Sequence, residues 1–159
     1  MKIKKTHQPL LVPVDFSGPS ESALCFASHI AECIEEPLVV LHVVHDPGAM
    51  PGYYSAGLDK KQLRRIEDRA AEMFHQFLMT ASKHCPQYKA MEKKTHMVVK
   101  GLPVTRILEV ANKIHAGQII MGSQGRTGLK HLMLGSVAEQ VVRLSPIPVT
   151  VVKETGHKR

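Results

Sequence analysis

The sequence predicts an α/β fold: a single-domain, doubly wound, five-stranded parallel sheet with helices on both faces, across residues 1–159 and with its core at about 8–153. Three observations carry this. Short apolar runs near residues 10, 38, 95, 118 and 149 alternate with segments whose apolar residues recur at helical spacing. The clearest runs are unbroken rather than alternating in polarity, which suits parallel strands covered on both faces. Strand–helix alternation also requires right-handed crossovers within one sheet.

The first strand covers about Leu10 to Asp15, with Pro13 near its carboxyl end, where ladder pairing stops. Ser17 or Gly18 caps the first helix, which opens near Pro19, carries Ala23, Ala27, Ile30 and Ile34 inward, and ends by Pro37. Leu38 to Val44 is the second strand. His45 to Gly57 is a loop rich in Pro, Gly and Tyr, and its conformation is not fixed by the sequence. The second helix runs from about Leu58 to His84, with Leu63, Ile66, Ala70, Met73, Phe74, Phe77 and Ala81 as its inner stripe. Thr95 to Val99 is the third strand. Gly101 and Pro103 open the third helix, on which Val104, Ile107, Leu108, Ala111 and Ile114 repeat, and Gly117 fits its C-terminal glycine. Gln118 to Met121 is the fourth strand, Val137 to Val142 a short fourth helix, and Pro148 to Val152 the last strand.

Between the fourth strand and fourth helix lies the spacing G-x2-G-x9-G-S, formed by Gly122, Gly125, Gly135 and Ser136. Gly122 and Gly125 let the backbone approach a ligand closely. Gly135, Ser136 and Val137 supply N–H groups at a helix start, where the dipole favours phosphate. The loop therefore predicts an anion site, with a nucleotide as its occupant.

This loop, Met121-Gly122-Ser123-Gln124-Gly125-Arg126-Thr127-Gly128-Leu129 through Leu134-Gly135-Ser136-Val137-Ala138, resembles the nucleotide-binding motif of the universal stress protein (UspA) family. The resemblance extends to Leu11-Val12-Pro13-Val14-Asp15-Phe16-Ser17, to Val39-Val40-Leu41-His42-Val43-Val44 and to Pro148-Val149-Thr150-Val151-Val152, nearly the whole chain in order. It implies a Rossmann-like sheet of the adenine nucleotide alpha-hydrolase type, with strand order 3-2-1-4-5. Strands one and four are then neighbours whose connections leave to opposite faces, the switch point where open α/β sheets bind ligands. Asp15 and Gly122 meet there. By resemblance to ATP-binding members, Pro13, Val14, Asp15, Val43 and Met121 border base and ribose, and Gly122, Gly125, Gly135, Ser136 and Val137 hold phosphate. Structural roles compete at several of these positions. Asp15 also fits a turn or capping residue, Ser136 with Glu139 fits a capping box, and Val43 and Met121 fit plain core.

The implied function is an ATP-binding, nucleotide-responsive stress regulator, with ADP or AMP as other occupants and Mg²⁺ arriving on the phosphates. No general base is placed for phosphoryl transfer, so hydrolysis is expected to be slow at most. The alternative is an interaction protein of the same family that dimerises without nucleotide. The family pairs subunits through the last strand. Val149-Thr150-Val151-Val152 is an apolar edge whose antiparallel pairing would give a homodimer.

Other functions lack the residues they need. There is no G-x-G-x-x-G after the first strand, no G-x4-G-K-[ST] and no G-x-S-x-G elbow, so no catalytic residue is assigned. Cys25, His29 and Cys33 share a helix face, but the outer pair are about 12 Å apart, too far for one metal or one disulfide. The formal charge of +7 is scattered, there is no Trp, and aromatics are 4%, against specific nucleic-acid binding. No stretch approaches the ~18 apolar residues of a membrane span, and the basic N-terminus is not a secretory signal. With three cysteines read as reduced thiols, the expectation is a cytoplasmic protein.

Overall fold

In the computed structural model, which describes residues 7–45, 60–85, 89–91, 94–124 and 134–154, five parallel strands form one sheet. They are β1 (Leu10–Val14), β2 (Leu38–His45), β3 (Thr95–Gly101), β4 (Gln118–Gly122) and β5 (Val149–Val152), in the order β3-β2-β1-β4-β5. The helices are α1 (Gly18–Ile34), α2 (Lys60–His84), α3 (Pro103–Lys113) and α4 (Ser136–Leu144), with a 3₁₀ turn at Lys89–Met91.

Each strand's alternation feeds two cores. Leu10, Val12, Val14, Leu38, Val40 and Ile120 pack under α1 and α2. Leu11, Val39, Leu41, Ile119 and Met121 pack under α3 and α4. Leu11, Leu41, Ile119 and Ile120 are fully buried, each contributing about 1.5–3 kcal/mol by transfer from water.

Helix α1 is set by its ends. The Ser17 hydroxyl accepts from the Ser20 N–H at 3.3 Å, a proline sits in the first turn, and Glu35 closes the helix at φ 58°. Its buried face is made of small residues, Ala23, Ala27, Ser28 and Ala31 around Leu24, so the helix lies close on the sheet.

The structure corrects several expectations. Ile34 and Ile66 are exposed rather than inward. Ile34 falls in the last turn of α1, and the 25 residues of α2 span about 37 Å, far more than the ~17 Å of a five-residue strand. Leu78 joins the stripe instead, beside Ala70, Phe74, Phe77 and Ala81. The side chain of Leu63 lies outside the described set. The left-handed residue after α3 is His115 (φ 52°), not Gly117. Gly117 is small for another reason: a Cβ there would stand 2.9 Å from that of Gln8.

The cysteines also differ from the reading of three reduced thiols. Cys25 and Cys85 form a disulfide, with Cα atoms 5.9 Å apart, and Cys33 is free and exposed. Packing of α2 against α1 brings together two residues 60 apart in sequence, a proximity that spacing along one helix cannot show. Among the described residues no helix is long and apolar enough to cross a membrane.

Candidate functional site

The carboxyl ends of β1 and β4 lie side by side at the switch point of the sheet. The two strands pair only at Leu10↔Gln118 and Leu11↔Ile119. The Leu10 N–H turns to Pro37 on the β2 side and the Pro9 carbonyl to Gly117 on the β4 side, so the same alternation aims the Pro13 nitrogen at β4, and with no N–H to donate there the ladder ends. β1 and β2 remain paired as far as Val14↔His42, which sets Asp15 level with Val43.

The chain leaves β1 through a tight turn. Asp15 Oδ1 accepts from the Ser17 N–H at 3.2 Å and from the Ser17 hydroxyl at 2.5 Å. That is an Asx turn, so the turn role considered for Asp15 is present. Between them Phe16 adopts φ 68°, a conformation rare for a bulky residue. The strain is held by stacking: the Phe16 ring lies 4.1 Å from that of His42 and 5.6 Å from that of Phe77. His42 Nδ1 donates to the Val14 carbonyl at 2.9 Å, and the carbonyl, which can only accept, fixes the tautomer.

Face by face, the expected residues separate. Val43 and Met121 belong to the core beneath α3 and α4, strand alternation places Pro13 on that same face, and Asp15 lies one residue beyond β1, in the turn into α1. Val14 does not join them. Its side chain, 5% exposed, lies in the core beneath α1 and α2, and its carbonyl is taken by His42.

Gly122 ends β4 against α1, where a Cβ would stand 2.8 Å from the Pro19 carbonyl carbon and 2.9 Å from the Ser20 nitrogen. Its smallness therefore serves a helix contact. The next residues are tied down: the Ser123 N–H donates to the Val152 carbonyl and the Gly135 N–H to the Ser123 carbonyl, both at 2.8 Å. Gly125, with Arg126, Lys130 and His131, lies outside the described residues, as do positions 46–57 of the connection after β2.

Gly135 is the N-cap of α4, extended at φ −61°, ψ 146° and without a side-chain cap. Ser136 is thus the first helical residue, which corrects the capping-box reading with Glu139. A capping side chain must sit at the N-cap itself, and Gly135 has none. Val137 packs into the core below α4. Among the described residues no metal-holding cluster of His, Cys, Asp and Glu occurs. Sequence reasoning missed His42 and Phe16 as a pair. A left-handed aromatic residue leaves no sequence signal, although Asp-x-Ser before a proline is a readable turn.

A five-stranded parallel α/β sheet of order β3-β2-β1-β4-β5, with β1 and β4 at its switch point, defines a doubly wound α/β class of protein. The sequence profile of the universal stress protein family matches residues 6–153, and the chain belongs to that family. It is 31% identical over 158 residues to universal stress protein MJ0577 of Methanocaldococcus jannaschii, covering 92% of this chain and 95% of that one. Its fold superposes on universal stress protein UspA from Lactobacillus plantarum with a TM-score of 0.75 and 25% identity, covering 94% and 99% of the two chains. A universal stress protein solved in complex with cAMP shares the fold, with a TM-score of 0.65 and 22% identity over 94% of this chain and 99% of that one.

Proposed function

We propose that this chain is an ATP-binding universal stress protein that acts as a nucleotide-responsive regulator, with the nucleotide held at the β1/β4 switch point. One observation carries the reading. Val43 and Met121, with Pro13 by strand alternation, fall on the face of the sheet that α4 covers, Asp15 follows directly after β1, and α4 begins without a side-chain cap. Pro13, Val43 and Met121 give the base an apolar wall, and Asp15 is the acceptor for a ribose hydroxyl or a base N–H. The first-turn N–H groups of Ser136 and Val137 are the proposed phosphate donors, with Gly122 and Gly125 in the connection that leads to them. Val14 contributes backbone only. ADP or AMP would use the same wall, and Mg²⁺ would arrive on the phosphates rather than on protein ligands.

The fold relative solved with cAMP supports a nucleotide in this fold. We assign the protein to the cytoplasm and to a homodimer paired through β5, whose residues Val149–Val152, three valines and a threonine, are half-buried at the sheet border.

Calorimetric titration of nucleotide-stripped protein with Mg-ATP, beside a Gly125→Asp variant, tests the site. The expected result is binding by the native chain and none by the folded variant, since a carboxylate in the glycine loop would bring charge of the phosphates' own sign. Equal binding by both proteins removes the loop from the site. No binding by a folded native chain leaves the nucleotide-independent dimer as the function.

A further inference from the structure

We propose that the Cys25–Cys85 bridge is a reversible thiol–disulfide exchange site, open to a dithiol reductant, and that its state sets how the C-terminal end of α2 docks on α1. This goes beyond the nucleotide reading and does not depend on it.

The two sulfurs belong to unlike surroundings. Cys85, immediately after α2, is 2% exposed, whereas Cys25, in mid-α1, is half-buried. Attack by an external thiolate therefore falls on Cys25 Sγ. The Cys25–Cys85 bond breaks, Cys85 leaves as a thiolate and takes up a proton, and Cys25 is held to the reductant in a mixed disulfide. The reductant's second thiolate then attacks its own bridging sulfur and releases Cys25, which is protonated as the reductant departs as a disulfide. A disulfide oxidant such as oxidised glutathione runs the sequence in reverse.

Reversibility requires that the fold survive without the bond, and the packing meets that requirement. Ala81, Leu78, Phe77 and Phe74 stay buried in the core from α2, with Met91 beyond it, and His84 contacts Glu21 across the same seam. Opening the bond thus frees the end of one helix rather than the whole chain, a local and not a global event. The remaining thiol, Cys33, lies two turns further along α1 and is exposed. At about 12 Å of rise from Cys25 it cannot replace Cys85 as partner, so the exchange has one oxidised form within the chain.

The experiment uses the full chain carrying Cys33→Ser, which leaves only the proposed pair and prevents cross-linking through Cys33. The protein is equilibrated with oxidised glutathione or with dithiothreitol, alkylated without denaturant, and weighed, while backbone hydrogen exchange is followed in peptides covering 74–85. The expected result is no alkylation after oxidation and alkylation of both cysteines after reduction, through repeated cycles with the circular dichroism of the fold retained. Exchange at the end of α2 should be on the order of tenfold faster in the reduced form, with β1 and β4 unchanged. A Cys25→Ser, Cys85→Ser double variant should show the faster exchange in both buffers. Alkylation in oxidised glutathione overturns the bridge, and resistance to dithiothreitol until denaturant is added overturns the exchange. Identical hydrogen exchange in the two states overturns control over α2.

Discussion

Replacing Gly122 by alanine tests the contact that joins β4 to α1. The added Cβ would stand 2.8 Å from the Pro19 carbonyl carbon, 2.9 Å from the Ser20 nitrogen and 3.0 Å from the Pro19 Cβ. Two of these three neighbours are backbone atoms in the first turn of a helix, so no flexible side chain can swing away. Overpacking of this kind costs about 1–3 kcal/mol, and rigid neighbours favour the upper half of that range. Gly122 is not in a positive-φ conformation, so alanine also gains about 0.4–1 kcal/mol by restricting the unfolded chain. The net expectation is a loss of about 1.5 kcal/mol, or roughly 3–6 °C in Tm for a chain of this size. Urea unfolding of both proteins, with equal m-values, measures it. An alanine variant as stable as the native chain would refute the reasoning, because it would mean that α1 recedes from the strand without cost.

Two further substitutions probe other parts of the frame. Ser17→Ala removes the acceptor for the Ser20 N–H and the hydroxyl that Asp15 holds, and chemical denaturation should show a loss of about 1–2 kcal/mol; no loss would place the cap elsewhere. His115→Gly relieves an exposed left-handed residue at φ 52° and should raise stability by about 0.5–1 kcal/mol in a thermal melt, whereas a fall would show that the imidazole holds a contact that outweighs the strain.

The sheet was legible because burial on both faces writes itself as unbroken apolar runs, and Leu10–Val14 and Leu38–His45 fall close to where those runs predict them. The glycine spacing was legible for a related reason, since few residues tolerate close backbone approach. What Gly122 approaches was not: spacing names the need for a small residue, while only the fold shows that α1 fills the space. The Val14 side chain stands in the other layer from Pro13 because a motif lists neighbours in sequence, and consecutive strand residues face opposite layers. The meeting of Cys25 and Cys85 is not legible locally, because it depends on helix packing across 60 residues. Ile66 was read as core because periodicity says which face points inward but not where the sheet beneath it stops.

The brief ladder between β1 and β4 has a mechanical consequence. β1 stays joined to β2 along its whole length, and β4 to β5, but the pairs between β1 and β4 end at Leu11↔Ile119. The backbone ladder thus divides the sheet into two leaves, bound across the seam on one face by α1, which packs on β1, β4 and β5, and on the other by the core shared under α3 and α4. Gly122 against Pro19 is the stitch that fastens the second leaf. Side-chain packing on both faces, and not the ladder, therefore keeps the two leaves together at the carboxyl edge.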